Sequence, residues 1–587
     1  MKQLVKKSLK GSLKKLAKTH PLSKIYQDVA SQESTEPFLD RALDRLGVNC
    51  QIISGSLSEI PKTGKVVIVA NHPFGGIEGL VLAREILATR PDLKIMVNYV
   101  LERATHLSDL FIGVDPFNRK NSTTFNVRPL METARHLRNE GALLVFPAGA
   151  VSHLSLRKRA VIDTEWKSSI GRIIKSSSAP VLPIHIDGRN SHFFQLAGMI
   201  HPLLRTAMLP QEMYRKRNHT LSLRIGSLIK PKQLKDCKTD ADIASYLRMI
   251  TYGLADKRRS KQIKAEVPAQ NNDPVNVVST VPQNWLLSDI QKLHSDRCLL
   301  TSKHLSVYYG KASELPNILT EIGRLREITF REVGEGSGKS IDLDRFDQHY
   351  RHLFIWDHRE DLLVGAYRIG HTDEILKTHG KKGLYTRTLF TYSTRFIHQL
   401  GPTLEMGRSF IRQEYQKSYM PLLLLWQGIG QYVVQHPQYT RLVGPVSISG
   451  DYTQSSKDVM ASYLQQRCGN DEKLSRVKGN FVVPKTPLKG FSANEMIGLL
   501  GNIEHLSHFI SSIESNNKGV PVLIRQYLKL DGRVLAFNVD NQFSGCLDAF
   551  LVVDLMKTSP TVLKKYMGAE GVDRFYQWHN QQQRLIG

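Results

Sequence analysis

The sequence predicts an α/β protein with two α/β domains, the second of which has a mixed sheet. Its 587 residues are several times what one hydrophobic core usually holds, and its 41% hydrophobic and 23% charged residues are typical of globular proteins. Short apolar runs typical of buried strands alternate with helical stretches in both halves. A polar stretch rich in charge, Asn and Pro lies between the halves and is typical of a linker.

The first domain is predicted over residues 35–256. An apolar run, a Pro/Gly turn and a helical pattern follow one another near its start, which indicates a strand that leads directly into a helix. The predicted strands are residues 66–70, 143–146 and 181–186, and the predicted helices are residues 77–87 and 129–138.

The second domain is predicted over residues 286–587, after a linker at residues 257–285. The sequence shows no repeat at a fixed period, so no repeat architecture is expected. The predicted strands are residues 353–356, 362–369, 404–411 and 441–447, and the predicted helices are residues 314–330 and 421–434.

The formal net charge of +26 indicates an anionic partner, which nucleic acid, acidic phospholipid and an acidic carrier protein all satisfy. Residues 1–34 favour lipid. Leu9, Leu13 and Leu16 share one helical face with lysines around it, as in a basic amphipathic helix at a membrane surface. A solvated tail, or a helix that packs on its own domain, is the alternative, because Gly11 weakens the helix.

Several classes of protein are disfavoured by what the sequence lacks. No apolar run reaches the roughly 18 to 20 residues that span a bilayer, and the start lacks the apolar core of a signal peptide. The five cysteines are scattered, without a CxxC or Cys/His spacing, which argues against a disulfide framework and against a zinc site. We therefore expect a protein without a transmembrane helix or a metal, kept inside the cell.

The first candidate site lies at the carboxyl end of the strand at residues 66–70, where open α/β sheets place their sites. His72 follows this strand, and Glu78 lies in the first turn of the next helix. An imidazole can take a proton from an attacking hydroxyl when a carboxylate fixes its tautomer. For this pair alone, a structural histidine that caps the turn is an equally good interpretation.

With three later blocks in the expected order, this segment resembles the glycerophosphate and lysophospholipid acyltransferase family. The family's first block is Asn-His, four residues and an Asp. Here Ile77 stands at the Asp position, and the carboxylate, Glu78, comes one residue later. The resemblance implies that His72 is the base and that Glu78 orients it.

The later blocks imply further substrate-binding residues in the first domain. The second block offers Phe117 and Arg119, whose counterpart in the family engages the acceptor. The third resembles the family's Phe-Pro-Glu-Gly block and keeps Phe146, Pro147 and Gly149. Ala148 replaces its Glu, so we expect an acceptor other than glycerol phosphate. The fourth, residues 179–188, resembles the family's closing apolar strand with its proline. Surface roles for Arg119, in a salt bridge, and for residues 157–159, at lipid headgroups, are alternatives.

Polar side chains embedded in apolar strands mark a second candidate site, because such groups are costly to bury unless they are paired or used. These residues, with one aromatic side chain among them, are Arg326, Phe330, Asp344, Asp347, Arg368, Glu405 and Arg408. In order and spacing, the set resembles the acyl-homoserine lactone synthases and, more closely, the ornithine N-acyltransferases, both related to GNAT N-acyltransferases. The resemblance implies acyl transfer from acyl carrier protein to an amino-acid amine.

The chemistry of N-acylation suggests a role for each type of residue. A protonated amine must lose a proton before it attacks a thioester, so a carboxylate is needed, and Glu405 is the candidate base. Asp344 and Asp347 are candidates to hold the amino groups of a cationic acceptor, and Arg368 or Arg408 its carboxylate. A buried network that only braces the fold is the alternative for each of them.

A donor site is predicted after the strand at residues 404–411. Lys417 and Ser418 precede an apolar helix, where a GNAT fold binds the pantetheine phosphate at a helix N-terminus. A Gly-rich pyrophosphate loop is not evident, which disfavours coenzyme A and favours an acidic acyl carrier protein as donor.

Taken together, the two resemblances cover nearly all of the chain and identify it as similar to the bifunctional ornithine lipid synthases. They imply N-acylation of ornithine by the second domain and O-acylation of the lyso-ornithine lipid by the first, with no cofactor. The expected location is peripheral, on the cytoplasmic face of the bacterial inner membrane. Another amino-acid lipid, or lysophospholipid acylation with a non-catalytic second domain, is the alternative. Nucleic-acid binding would explain the charge but not the ordered blocks.

Overall fold

A computed structural model of the chain describes residues 21–22, 29, 35–99, 105–115, 122–255, 275–469, 474, 476–541 and 543–586. The chain divides into two units, one made of Met1–Lys257 and Lys485–Val520, the other of Arg258–Pro484 and Pro521–Gly587. Residues 485–520, in the second half of the sequence, therefore belong to the first unit. Residues 1–20, 23–28 and 30–34 of the predicted membrane-surface segment and residues 257–274 of the predicted linker lie outside the described residues.

The strands and helices alternate along the described chain. The strands are β1 (Asn49–Ser54), β2 (Val66–Ala70), β3 (Lys94–Asn98), β4 (Phe111–Val114), β5 (Ala142–Val145), β6 (His153–Ser155), β7 (Ala160–Ile162), β8 (Val181–Ile186), β9 (Thr220–Ile225), β10 (Cys298–Ser302), β11 (Leu305–Lys311), β12 (Arg351–Asp357), β13 (Leu362–His371), β14 (Thr403–Ile411), β15 (Arg441–Ile448), β16 (Arg533–Asp540) and β17 (Cys546–Asp554).

The α-helices of the described residues range from a single turn to five turns. They are α1 (Thr35–Leu46), α2 (Ile77–Leu87), α3 (Ser122–Arg138), α4 (Ser168–Ser177), α5 (His192–Ile200), α6 (Pro202–Arg215), α7 (Asp240–Gly253), α8 (Gln283–Lys292), α9 (Pro316–Glu332), α10 (Thr372–His379), α11 (Thr386–Leu389), α12 (Thr394–Leu400), α13 (Met420–Gln435), α14 (Gln454–Cys468), α15 (Ala493–Leu499), α16 (Ile503–Ile513), α17 (Val522–Lys529), α18 (Pro560–Met567) and α19 (Ala569–Ile586).

Within the described part of the first unit, seven strands form one sheet in the order β1-β9-β8-β2-β5-β3-β4. Neighbours run parallel except β8 and β9. Both faces of a largely parallel sheet are covered, so its inner strands are apolar throughout, and every residue of β2 is buried. Ile68 on β2 and Val81 and Ile86 on α2 share one hydrophobic core. This packing fixes the turn between β2 and α2.

Within the described part of the second unit, eight strands form a sheet in the order β10-β11-β12-β13-β14-β15-β17-β16. All neighbours are antiparallel except β14 and β15, which run parallel, so the predicted mixed sheet is confirmed. The β14–β15 pairing ends at Glu405 and Val443. Because β14 continues to Ile411, the sheet opens between these two strands beyond Glu405.

Most predicted elements are present, with small shifts at their ends. The predicted bounds of β2, β8 and α2 agree with the structure. The helix predicted from Pro129 instead begins at Ser122. Proline prefers the first turn of a helix, which favours a start at Pro129, whereas this residue lies inside the helix. Among the described residues, the helices are all too short or too polar to cross a bilayer.

Candidate active sites

His72 and Glu78 meet at the carboxyl end of β2. Glu78 lies in the first turn of α2 and its side chain is fully buried, whereas the His72 side chain is 19% exposed. Nδ1 of His72 lies 3.0 Å from Oε1 of Glu78, a charge-pairing distance without hydrogen-bond alignment. The structure thus brings the two residues together despite their unusual spacing. Once Glu78 holds Nδ1, Nε2 is the nitrogen suited to accept a proton from a hydroxyl.

The turn between β2 and α2 wraps around the Glu78 carboxylate. The backbone N–H groups of Phe74 and Gly75 donate to Oε1 at 2.9 Å, and that of Gly76 donates to Oε2 at 3.0 Å. Gly75 has a φ of +95°, which favours glycine, and a Cβ there would lie 2.6 Å from Cδ2 of Leu209. This tight turn accommodates the extra residue between His72 and its carboxylate.

His72 and Glu78 each stabilise the charged form of the other. Burial opposes the charged form of Glu78, but the charge of His72 and the backbone N–H groups of Gly75 and Gly76 lower the pKa of Glu78 to about 2. Burial also opposes the imidazolium form of His72, but Glu78 and Asp163 outweigh it and raise the pKa of His72 above its ordinary value. An imidazolium formed during proton transfer would therefore be stabilised.

Asp163 is a residue that sequence reasoning missed. Its Oδ1 accepts the backbone N–H of His72 at 3.2 Å and also the hydroxyl of Ser152. Its Oδ2 accepts the indole N–H of Trp166 at 3.0 Å. Asp163 therefore holds the peptide of His72 in place. The available signal was a carboxylate directly after the apolar residues of β7.

The third sequence block packs against His72. The ring centroids of Phe146 and His72 are 4.7 Å apart. The carbonyl of Phe146 accepts the N–H of Gly149 at 3.1 Å, and the carbonyl of Pro147 accepts the N–H of Lys167 at 3.1 Å. Pro147 and Gly149 thus shape the turn that presents Phe146. The predicted acceptor-binding residues of the second block, Phe117 and Arg119, lie outside the described residues.

The predicted second site is an ionic network in the second unit. Nη1 of Arg326 lies 2.8 Å from Oδ1 of Asp347, and Nη1 of Arg368 lies 3.2 Å from the same oxygen. Nη1 of Arg368 also lies 2.7 Å from Oδ1 of Asp344. Arg326 and Arg368, despite burial, hold the pKa of Asp347 well below its usual range. Asp344 and Asp347 therefore pair with arginines of the protein itself, which disfavours the predicted role of holding the amino groups of a substrate.

Arg408 joins this network from a distorted part of β14. Its φ is +50°, at an irregularity in the pairing of β13 with β14. Its Nη1 lies 3.3 Å from Oδ2 of Asp342, a third aspartate that the sequence analysis did not single out. Its guanidinium carbon lies 5.9 Å from the ring centroid of Phe330. The structure therefore brings Phe330 and the charged residues of α9, β13 and β14 together.

Glu405 is buried, and its carboxylate is occupied by hydrogen bonds within the protein. The N–H of Tyr385 donates to Oε2 at 3.0 Å, and that of Thr386 donates to Oε1 at 2.8 Å. The hydroxyl of Tyr350 also donates to Oε2. These contacts join β14 to the start of α11. They favour a bracing role over a direct role as base.

Two carboxyl groups that sequence reasoning missed have raised pKa values. Burial, with the charge of Asp548, raises the pKa of Glu335 to about 7. Burial raises the pKa of Asp548 to about 6, although Ser447 donates a hydrogen bond to it at 2.7 Å. The hydroxyl of Ser449 holds the Glu335 loop at the end of β15, by donating to the Val333 carbonyl at 3.2 Å. Carboxyl groups with such values are suited to accept protons near neutral pH.

The predicted donor-binding residues lie at the start of α13. Lys417 and Ser418 are exposed, and the Ser418 hydroxyl accepts the N–H of Met420 at 3.2 Å. The helix predicted to start near Pro421 begins at Met420. Within the part of the chain that the structure describes, no three or more His, Cys, Asp or Glu side chains form a group that could hold a metal ion.

Comparisons with known proteins match both halves of the chain to acyltransferases. Residues 33–259 match the family model described as Acyltransferase, and residues 325–427 match that of the Acetyltransferase (GNAT) domain. A glycine N(alpha)-acyltransferase of Phocaeicola vulgatus is 30% identical over 277 residues, which cover 44% of this chain and 82% of the relative. A lyso-glycine lipid O-acyltransferase of Bacteroides thetaiotaomicron is 30% identical over 247 residues, which cover 38% and 87%. The chain therefore belongs to the acyltransferase family of these relatives.

The acyltransferase carries both family domains in one chain, as the sequence analysis predicted. Each relative is matched over most of its own length by less than half of the acyltransferase. A solved structure, the 1-acyl-sn-glycerophosphate acyltransferase of Thermotoga maritima, aligns with 45% of the acyltransferase and 99% of its own chain. The TM-score is 0.25, at 16% identity.

Proposed function

We propose that this acyltransferase makes a diacylated amino-acid lipid in two steps. The second domain forms an amide between a 3-hydroxyacyl chain and the α-amine of an amino acid, with release of the donor thiol. The first domain then esterifies the 3-hydroxyl of this lyso-lipid. The observation that carries the proposal is that relatives named for N-acylation of glycine and for O-acylation of lyso-glycine lipid both match this one chain.

In the O-acylation step, we assign the proton transfer to His72. Nε2 takes the proton of the 3-hydroxyl as the oxygen attacks the acyl thioester, and the proton then passes to the departing thiolate. Glu78 stabilises the imidazolium, since its carboxylate lies 3.0 Å from Nδ1. The apolar Ala148 in the third block is consistent with an acceptor that lacks the phosphate of glycerol phosphate.

In the N-acylation step, we assign the proton-accepting role to Glu335. The sequence-based candidate, Glu405, already accepts hydrogen bonds from Tyr350, Tyr385 and Thr386. The N–H of Glu335 donates to the carbonyl of Phe330 at 2.8 Å, and the Phe330 ring lies 5.9 Å from the guanidinium carbon of Arg408, so Glu335 lies beside the ionic network. With a pKa raised to about 7, Glu335 is suited there to take the proton of an ammonium group near neutral pH. Glu405 then acts as a positioning residue for α11.

For the acceptor we propose ornithine. Besides burial, the charges of Asp548, Asp451 and Asp540 raise the pKa of Glu335, so several carboxyl groups lie near one another in this part of the second unit. A substrate with two amino groups would complement these carboxyl groups. Glycine is the second candidate, because the relatives are named for it.

For the donor we propose an acyl carrier protein thioester, without a cofactor. Lys417 and the N-terminus of α13 suit the single phosphate of a carrier's pantetheine arm. The net charge of +26 suits both an acidic carrier and an anionic membrane on the cytoplasmic face of the bacterial inner membrane.

We expect the full chain, expressed in a bacterium that makes no amino-acid lipid, to produce a diacylated ornithine lipid. Mass spectrometry of extracted lipids, with an empty vector as control, measures this. A diacylated glycine lipid instead would move the acceptor to glycine and keep the two-step reaction. Absence of any N-acylated amino acid, with the protein present, would contradict the proposal.

We expect Glu335→Gln to slow N-acylation by about 10²- to 10⁴-fold, the usual contribution of a general base. The rate of the unmodified chain should rise with pH through about 7, as Glu335 loses its proton, and the variant should lose this rise. Initial rates with purified full chain, acyl carrier protein thioester and ornithine, measured across pH, test this. Glu405→Gln is the matched variant and should keep the rise. If it is lost in Glu405→Gln and kept in Glu335→Gln, the base is Glu405.

A further inference from the structure

The helical hairpin formed by α5 and α6 exposes a group of large apolar side chains. Phe193 is 66% exposed and Ile200 is 79% exposed. Phe193, Leu196 and Ile200 recur at helical spacing and form one face of α5, whereas Phe194 on the opposite side is buried. Met199 and Leu204 are exposed beside them. Soluble proteins rarely expose so many apolar side chains together without a partner.

The base of this hairpin contacts the loop that carries His72. A Cβ at Gly76 would lie 3.8 Å from Sδ of Met213, so α6 approaches this loop closely. Nδ2 of Asn190, just before α5, donates to the carbonyl of Phe74 at 3.1 Å. The exposed apolar face therefore begins beside the proposed O-acylation site.

The hairpin and its flanks are strongly basic. Residues 189–219 contain one carboxylate, Glu212, which is buried and paired with Arg215. The same residues contain five cations: Arg189, Arg205, Arg215, Lys216 and Arg217. The β6–β7 turn adds the exposed residues Leu156, Arg157 and Arg159, and it is tied to α5 because the N–H of Leu154 donates to Oε1 of Gln195 at 2.8 Å. An apolar face with cations around it complements an anionic bilayer surface.

We infer that the α5–α6 hairpin inserts its apolar face into an anionic lipid bilayer next to the O-acylation site. This inference rests on the proposed function, in which the acceptor of that site is a lyso-lipid. Insertion would place the site at the depth where the acceptor's chains lie in the membrane. An acidic carrier protein would satisfy the cations alone, whereas a bilayer satisfies both the cations and the exposed apolar side chains.

Quenching by brominated lipids tests the insertion in the full chain. We expect Leu196→Trp to gain fluorescence that is quenched by vesicles containing brominated phosphatidylglycerol, beyond the quenching of the unmodified chain. Val482→Trp, at a position 87% exposed in the second unit, is the matched control and should gain no such quenching. Equal quenching in both variants would overturn the inference. This readout is independent of residues 1–34, which are the same in both.

A second variant tests the contribution of the apolar face. We expect the double substitution Phe193→Asp and Ile200→Asp to weaken binding to phosphatidylglycerol vesicles by at least about tenfold, because two large apolar side chains would no longer be transferred from water into the bilayer. Val482→Asp should bind as the unmodified chain does. Unchanged vesicle binding, or selective loss of acyl carrier protein binding or of self-association, would overturn the inference.

A water-soluble acceptor separates this inference from the proposed function. The double variant should O-acylate a short-chain N-(3-hydroxyacyl) amino acid as fast as the unmodified chain, because the hairpin face is not part of the reaction. If the unmodified chain fails to acylate this acceptor while Leu196→Trp is quenched, the proposed function fails and the insertion stands. If the unmodified chain and the double variant both acylate this acceptor and Leu196→Trp is not quenched, the insertion fails and the proposed function stands.

Discussion

His72→Ala is expected to lower the O-acylation rate by about 10²- to 10⁴-fold and to leave N-acylation unchanged, so that the mono-acylated lyso-lipid accumulates. The rate falls because the attacking 3-hydroxyl loses the imidazole that takes its proton. Single-turnover assays with purified full chain and mass spectrometry of the products measure both steps. His294→Ala, at an exposed histidine, is the matched control and should retain both activities. O-acylation retained by folded His72→Ala protein would remove His72 from the reaction.

The companion variant Glu78→Gln tests how the pair works. His72 must be neutral to act as base, so O-acylation should rise with pH through the pKa of His72, which Glu78 helps to hold above its ordinary value. Without the Glu78 charge, burial should dominate and lower this pKa. The rise in activity should therefore move to lower pH, with a reduced maximal rate. An unmoved pH profile would mean that Glu78 does not act through His72.

Asp347→Ala is expected to destabilise the second unit by about 3–5 kcal/mol, the usual cost of removing one partner of a buried ion pair. Asp347 is 1% exposed and pairs with both Arg326 and Arg368. Without it, the buried Arg326 would lose its ion-pair partner, and Arg368 would keep only Asp344. Because its pKa is held below the ordinary carboxyl value, this stabilisation is present at neutral pH and is lost only as the pH falls below about 4.

Amide hydrogen exchange of peptides from β12, β13 and β14 measures this destabilisation within the full chain. Glu570→Gln is the matched control, because the Glu570–Arg574 pair is exposed and should contribute less than about 1 kcal/mol. Exchange in Asp347→Ala as slow as in the control would show that the network does not support the fold.

The elements around the first site could be predicted because local sequence determines them. The wholly apolar β2 has the composition of a buried parallel strand, and His72 follows it directly. The pairing of His72 with Glu78 depended instead on a turn tight enough for Gly75 at a φ of +95°. Asp163 could not be ranked from the sequence, since its link to His72 spans 91 residues and runs through the backbone.

In the second unit, the types of residue were predicted better than their roles. Buried arginines and carboxylates were recognised from their apolar surroundings in the sequence. Whether a given carboxylate contacts another group of the protein or is left for a substrate depends on tertiary contacts. Asp344 and Asp347 contact arginines, and Glu405 accepts backbone N–H groups. Glu335 lies in a loop, and its raised pKa arises from burial and from the charge of Asp548, which is more than 200 residues away in the sequence. Such burial leaves no local pattern in the sequence.

The membership of residues 485–520 in the first unit affects how the two proposed activities can be separated. Tyr246 on α7 contacts His505, with ring centroids 4.5 Å apart, and a Cβ at Gly253 would lie 2.9 Å from Cγ2 of Ile513. A gene cut at the linker would therefore remove α15 and α16 from the first unit and expose part of its core. Because the first unit includes residues from beyond the linker, we expect point substitutions, rather than truncation, to separate the two proposed activities.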